Sequence, residues 1–234
     1  MSIFYVVATP IGNLEDITLR ALEKLRKVDV ILCEDTRVTK RLLSRHQIAT
    51  RTLSYHAHSK MTRTTEIISL LKEGKNVALV SDAGTPGISD PGSELVRHIR
   101  ESCAEEIAAG AIKIESIPGP SALTAALSIA GVSCADFTFL GFLPHKKGRQ
   151  TLFKEIADSE RTMVFYESPH RIIKTLEALN EQCQIPNAKH VTICREITKI
   201  FEEVVSGTAE EVLAYFTAHP DKVRGEFVVI VSRK

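Results

Sequence analysis

The sequence predicts an α/β protein of two domains: an N-terminal domain with a mostly parallel sheet over residues 1–118, and a C-terminal domain with a mixed sheet over 119–234. Three observations predict it. In the first half, short apolar runs alternate strictly with amphipathic segments, the pattern of a parallel sheet with crossover helices. In the second half, strand candidates follow one another with no helix between them, which implies antiparallel pairs. The turn at Pro118-Gly-Pro120 marks the change and the expected boundary.

In order, Ile3 to Ala8 reads as an apolar strand, and Thr9-Pro-Ile-Gly-Asn13 as a turn. Asp16 is read as the cap of a helix carrying Ile17, Ala21, Leu22 and Leu25 on one face. Val28 to Cys33 is the second strand, with Glu34-Asp35-Thr36-Arg37 at its carboxyl end, and Thr62 to Lys72 is a helix. Val77 to Val80 has the length and β-branched content of a buried strand. It breaks into a turn with Gly84, Pro86, Gly87, Pro91 and Gly92, after which Asp90 is read as N-cap and Pro91 as the first helical residue. Helix to about Ala109, strand Ile112 to Ile117, and a small-residue helix Ala122 to Ala130 complete the half. Beyond it, Phe137 to Leu143 is apolar and aromatic, and Thr162 to Tyr166 reads as a strand. Ser168 and Pro169 are read as starting a helix. Val191 to Arg195, Phe201 to Ser206 and Glu226 to Val231 are strands, and Thr208-Ala-Glu-Glu211 is a capping box.

Composition narrows the class. The chain has 234 residues, 44% hydrophobic and 25% charged, as ordinary globular proteins do. No run of 18 apolar residues occurs, so no membrane span is expected, and the N-terminus lacks a signal-peptide pattern. Five scattered cysteines without C-x-x-C predict neither a zinc site nor a disulfide framework, and fit a reducing cytoplasm. With a net charge of +1, any nucleic-acid contact must be local.

Two charge patterns point to ligands. The glycine-proline turn after Val80 sits where open α/β sheets bind ligands. Between Lys75 and Arg97 it holds Asp82, Asp90 and Glu94 but no Lys or Arg. A phosphate cradle wants the opposite charge. The turn suits hydroxyls, an ammonium or another cation, and S-adenosylmethionine offers a ribose diol, an ammonium and a sulfonium. From Thr36 to Thr65 the signs reverse. No Asp or Glu occurs, while Arg37, Lys40, Arg41, Arg45 and Arg51 are present with Lys60, Arg63 and three histidines. Such a stretch is a footprint for a polyanion; the plainer alternative is a solvated basic helix and loop. His145-Lys146-Lys147-Gly-Arg149 is a second patch of this kind.

The run Ser81-Asp-Ala-Gly-Thr-Pro-Gly-Ile-Ser-Asp-Pro-Gly92 resembles the signature of the tetrapyrrole methylase superfamily, in its branch of small-subunit ribosomal RNA (cytidine-2′-O)-methyltransferases. Further blocks resemble that branch in order: Ala8 to Leu14, Cys33 to Arg37, Pro118 to Ala122, Phe165-Tyr-Glu-Ser-Pro-His-Arg171, Cys194 to Lys199 and Gly225 to Phe227. The resemblance implies a class III methyltransferase with its cofactor cleft between two α/β domains, and a homodimer. The implied cofactor is S-adenosylmethionine; the implied substrate is a decoding-region cytidine of small-subunit ribosomal RNA, free or in the assembled subunit. Carried over by motif, Pro10, Asp82, Ala83, Gly84, Thr85, Ile88, Ser121 and Ala122 line the cofactor, with Tyr166, Gly225 and Glu226 from the second domain. Arg37, His56, Arg171, Arg195 and Lys199 face RNA, joining Lys40, Arg41, Arg45, Arg51, Lys146 and Lys147 of the basic stretches.

Transfer to a ribose hydroxyl gains from a base. The candidates are Glu34, Asp35, His56, Glu167 and His170, and no metal is implied. The chain departs from the branch at His56-Ala-His-Ser59, where His-Glu-His-Asn is expected, and at Arg224-Gly-Glu226, where Lys-Gly-Glu is expected. Longer relatives are expected to carry a further small domain. Two other readings stand beside this one: a small-molecule methylase of the same superfamily, and a non-catalytic RNA-binding or assembly protein.

Overall fold

Strand β1 (Ser2–Val7) runs through the interior of the first sheet in a computed structural model that describes residues 1–55, 60–183 and 189–233. A 3₁₀ turn, Leu14–Asp16, precedes helix α1 (Leu19–Lys27). Asp16 ends that turn and is not the cap. Thr18 caps α1, because its extended backbone aims Oγ1 at Ala21 N, 3.1 Å away. Strand β2 (Val30–Cys33), helix α2 (Thr36–Arg45), the short strand β3 (Thr52–Ser54), helix α3 (Lys60–Lys72) and strand β4 (Val77–Leu79) follow. Helices α4 (Gly92–Ser102) and α5 (Ala104–Ala108) lead to β5 (Ile112–Ile117).

All pairs in this sheet are parallel, in the order β3-β2-β4-β1-β5. One face packs Tyr5, Val7 and Ile31 against Leu22 and Leu25 of α1 and Leu42 and Leu43 of α2. The other packs Phe4, Leu32 and Leu79 against Ile67 of α3 and Leu95 and Ile99 of α4. Each such side chain taken fully out of water contributes about 1.5–3 kcal/mol. The order has a functional consequence. From β1 the chain leaves over one face toward β2, and from the adjacent β4 it leaves over the other toward β5. The carboxyl ends of β4 and β1 are therefore a topological switch point, where a crevice opens for a ligand.

The chain divides into units Met1–Ser121 and Ala122–Lys234, against an expected boundary after residue 118. The second unit runs α6 (Ala122–Ile129), β6 (Phe137–Phe142), α7 (Arg149–Asp158), β7 (Thr162–Glu167), α8 (Ile172–Gln182), β8 (His190–Arg195), β9 (Glu203–Thr208), α9 (Ala209–Ala218) and β10 (Phe227–Ser232). The sheet order is β6-β7-β10-β8-β9. Only β6 and β7 pair in parallel; the other three pairs are antiparallel, so the sheet is mixed. Strand β10 is buried along its whole length, as its continuous apolar run requires of an interior strand. Phe153, Phe165, Leu176, Phe216 and Phe227 fill the core. Thr208 and Glu211 make both bonds of the capping box. The helix after β7 starts at Ile172 and not at Ser168, since residues 168–171 form a turn. No described helix is long and apolar enough to cross a membrane.

Candidate functional site

The loop after β1 and the loop after β4 are joined at the switch point. Thr9 N donates to Gly84 O at 2.9 Å and Gly84 N to Thr9 O at 3.1 Å, an isolated antiparallel bridge between two parallel strands' exits. Thr9 Oγ1 donates to Ser81 O at 3.0 Å, and Ser81 Oγ reaches the carbonyls of Ala83 and Gly84. The third loop, after β5, is tied in by Thr85 Oγ1, which donates to Pro120 O at 3.1 Å. Gly84 has φ +79°, and a Cβ there would fill the space before Ile11, Pro120 O and Ser121. The backbone is thus shaped as a cradle, and glycine keeps it open.

Asp90 is not the N-cap. Pro91 holds that position without a side-chain bond, and Asp90 accepts from Gly87 N at 2.8 Å and Gly92 N at 2.7 Å. Its carboxylate staples the turn, in which Gly87 (φ +90°) and Ser89 (φ +67°) are left-handed. Asp82, Ala83 and Ile88 are exposed, Thr85 and Ser121 half-buried, and Pro10 buried. Asp82 Oδ1 accepts from Asp35 N at 3.1 Å, which links this loop to the end of β2. Glu34 lies in the same acidic neighbourhood. Burial, then the charges of Asp82 and Asp90, push its carboxyl up. Among the described residues, no group of His, Cys, Asp and Glu is arranged to hold a metal ion.

Asp35 is committed elsewhere. It caps α2 and is gripped by Arg37, whose side chain and backbone N–H bring its carboxyl down to about 2. Arg37 remains 89% exposed on its outer side. Lys40, Arg41, Arg45 and Arg51 are also exposed, while Thr39, Leu42 and Leu43 turn inward. Arg45 meets Glu15 at 3.3 Å. The acid-free stretch is therefore partly neutralised in space, with a basic outer face on α2. His56 and the His56-Ala-His-Ser59 block lie outside the described residues.

In the second unit, Glu167 is fully buried and cannot serve as a free base. Its oxygens take Ser168 N at 2.8 Å, Thr175 Oγ1 at 2.7 Å and Arg149 at 3.4 Å. Arg171 Nε lies 2.7 Å away, off the hydrogen-bonding direction, as an ion pair. Arg171 and Arg195, expected to face RNA, are instead turned inward: Arg195 is buried and bonds Glu203 at 2.9 Å. Lys199 bridges Glu196 and Glu226 at 2.8 and 2.9 Å. Gly225 (φ +83°) is required because a Cβ would overlap the Glu196 carboxylate. Tyr166 is half-buried against Phe139 and Phe142, and burial raises its phenol. His170, Lys146 and Lys147 are exposed. Ala122 opens α6.

Thr9 and Ser81 were not singled out from sequence, although their hydroxyls lock the cradle. Their sequence signals are position, at the carboxyl ends of two apolar runs, and membership of the Ala8–Leu14 and Ser81–Gly92 blocks.

Comparison with known proteins agrees with this architecture. The model of the family Tetrapyrrole (Corrin/Porphyrin) Methylases matches residues 4–213. The chain is 46% identical over 233 residues to ribosomal RNA small subunit methyltransferase I of Synechocystis, covering 99% of this chain and 79% of that one. It is 45% identical over 229 residues to the protein of that name from Thermotoga maritima, covering 98% and 97%. The solved structure of the methyltransferase CobJ shares the fold, with a TM-score of 0.65 at 21% identity over 99% of this chain and 93% of that one. A uroporphyrin-III-C-methyltransferase from Thermus thermophilus does likewise, with a TM-score of 0.64 at 20% identity over 99% and 94%. On the match to the family model and this identity along nearly its whole length, the chain belongs to the tetrapyrrole methylase family, in its ribosomal RNA small subunit methyltransferase I group.

Proposed function

We propose that this protein methylates the ribose 2′-oxygen of a cytidine in the decoding region of small-subunit ribosomal RNA, with S-adenosylmethionine as donor. The observation that carries the reading is an intact Ser81–Gly92 loop at the switch point of a chain 46% identical to a ribosomal RNA small subunit methyltransferase I. When bound, S-adenosylmethionine supplies a methyl group on a sulfonium. The acidic, glycine-opened cradle fits a cationic ligand with a diol. Pro10, Asp82, Ala83, Gly84, Thr85, Ile88 and Ser121 would hold it in the first unit. The second unit's candidates are Ala122, Tyr166, Gly225 and Glu226.

The residues have separable tasks. Exposed Asp82 offers a carboxylate to hydroxyls or an ammonium. Orienting the acceptor at about 3 Å supplies much of the acceleration in such a displacement. Glu34 is the candidate to accept the hydroxyl's proton: it directly follows β2 beside the acidic loop, and its raised carboxyl is a better base than an ordinary one. Asp35 and Glu167 are spent on arginines. The exposed cations of α2 attract the polyanion. This basic face favours RNA over the second reading, a small-molecule methylase acting on a tetrapyrrole. A cytoplasmic homodimer is part of the proposal, to be checked by light scattering.

The test is transfer of labelled methyl from S-adenosylmethionine to small-subunit particles, with the modified nucleoside identified after digestion. 2′-O-methylcytidine is expected. Label on another nucleoside, or on a tetrapyrrole alone, overturns the reading. Glu34→Gln should lower kcat with little change in cofactor affinity.

A further inference from the structure

From Phe137 to Lys154 there is no Asp or Glu, and the stretch holds Lys146, Lys147, Arg149 and Lys154. It spans β6, the loop after it and the first part of α7. The loop is built rather than loose. Arg149 donates to Pro144 O at 3.1 Å and, by its other nitrogen, to Thr175 Oγ1 at 2.7 Å. Arg171 donates to Leu143 O at 2.9 Å. Both guanidinium groups meet the one carboxylate of Glu167, whose side chain is wholly buried. Arg149 also lies over the Phe153 ring at 5.0 Å, and left-handed Gly148 opens α7 behind it. The clamp thus fixes the carbonyls of residues 143 and 144 while leaving His145, Lys146 and Lys147 exposed. Immediately before the loop, Phe142 is 56% exposed and held edge-on by Tyr166, ring centres 5.4 Å apart.

We infer that Phe142 and the clamped loop 143–148 form a preorganised contact for single-stranded RNA, with Glu167, Arg149 and Arg171 as positioning residues; this rests on the RNA substrate proposed above. Lysines neutralise phosphates, and an exposed, fixed aromatic ring offers a face to an unpaired base. A buried acid neutralised by two arginines leaves the surface lysines unopposed. That juxtaposition favours RNA over an acidic protein, which would need no aromatic platform.

The test is binding of a fluorescent single-stranded fragment of small-subunit ribosomal RNA across a salt series, alongside methylation of small-subunit particles. Lys146→Ala/Lys147→Ala should weaken binding and lower the salt slope by about 1.4, at about 0.7 per single-strand phosphate contact. Phe142→Ala should weaken it roughly tenfold at unchanged slope. Arg149→Lys keeps the charge but loses the two-pronged clamp. It should weaken binding alone, and add less than about twofold to the double lysine variant, because it acts through the same loop. Thr175→Val is the milder probe of the clamp and should behave the same way. Full additivity of the clamp and lysine variants would overturn the positioning role. Unchanged affinity and slope in the lysine variant, or a loss of self-association with RNA binding intact, would overturn the surface. Wild-type protein that methylates no RNA would instead strike the activity; wild-type methylation with indifferent variants strikes only this surface.

Discussion

In the first unit, Asp90 and Asp82 turn their carboxylates onto backbone N–H groups; in the second, Glu167, Glu196 and Glu203 turn theirs onto arginine and lysine. The first arrangement shapes a glycine-rich loop and leaves its acidic field in place, which suits a cationic ligand. The second cancels acids inside the unit, which leaves Lys146 and Lys147 exposed beside a neutralised carboxylate. One α/β framework thus yields two kinds of surface, according to what each carboxylate is bonded to.

The largest effect should come from breaking a buried pair. Glu167→Ala strands two arginines and should cost roughly 3–5 kcal/mol in denaturant unfolding, whereas exposed Asp82→Ala should cost under about 0.5 kcal/mol and act on cofactor affinity in calorimetric titration. Equal losses of stability would erase the contrast. Next, Gly225→Ala combines a left-handed φ with overlap on Glu196 and should cost about 2–3 kcal/mol. Gly84→Ala, with more room, should cost about 1 kcal/mol and weaken cofactor binding more than stability. Asp90→Ala should cost about 1–2 kcal/mol by freeing two backbone donors.

The last effect is read on the acid limb. Burial raises the Glu203 carboxyl, but bonds from Lys222, Tyr215 and Arg195 outweigh it and take it from the ordinary 4.5 to about 2. A depressed carboxyl stabilises the fold fully above its unfolded value, and that stability is lost as pH falls from about 4.5 toward 2. Glu203→Gln should flatten this part of the acid limb in pH-dependent denaturation; an unchanged limb would mean the bonds do not persist in solution.

Much of this was legible beforehand. The apolar run at Val77 marked a strand because burial on both faces leaves no polar alternation to misread, and Ile112 to Ile117 marked an edge strand by alternating isoleucine with lysine and glutamate. Thr208 and Glu211 announced their helix because a capping box is local. What was not legible depended on distant partners. Asp90 before Pro-Gly looks like a cap, yet Gly87 N, reached back across the turn, captures it. Glu167 looks like a candidate base until Arg149 and Thr175 arrive from elsewhere in the chain. Strand β3 has three residues, too few for any period to show, and in α7 the short apolar stripe of Leu152, Phe153 and Ile156 is interrupted by charged Lys154 and Glu155.

The reciprocal bond between Thr9 and Gly84 reaches beyond geometry. Both residues sit in loops, yet each amide is buried and paired as in a sheet. Their hydrogens should exchange with solvent on the timescale of strand amides rather than of loop amides. A crevice stitched in this way has lost its freedom before any ligand arrives, so little ordering entropy remains to be charged against association.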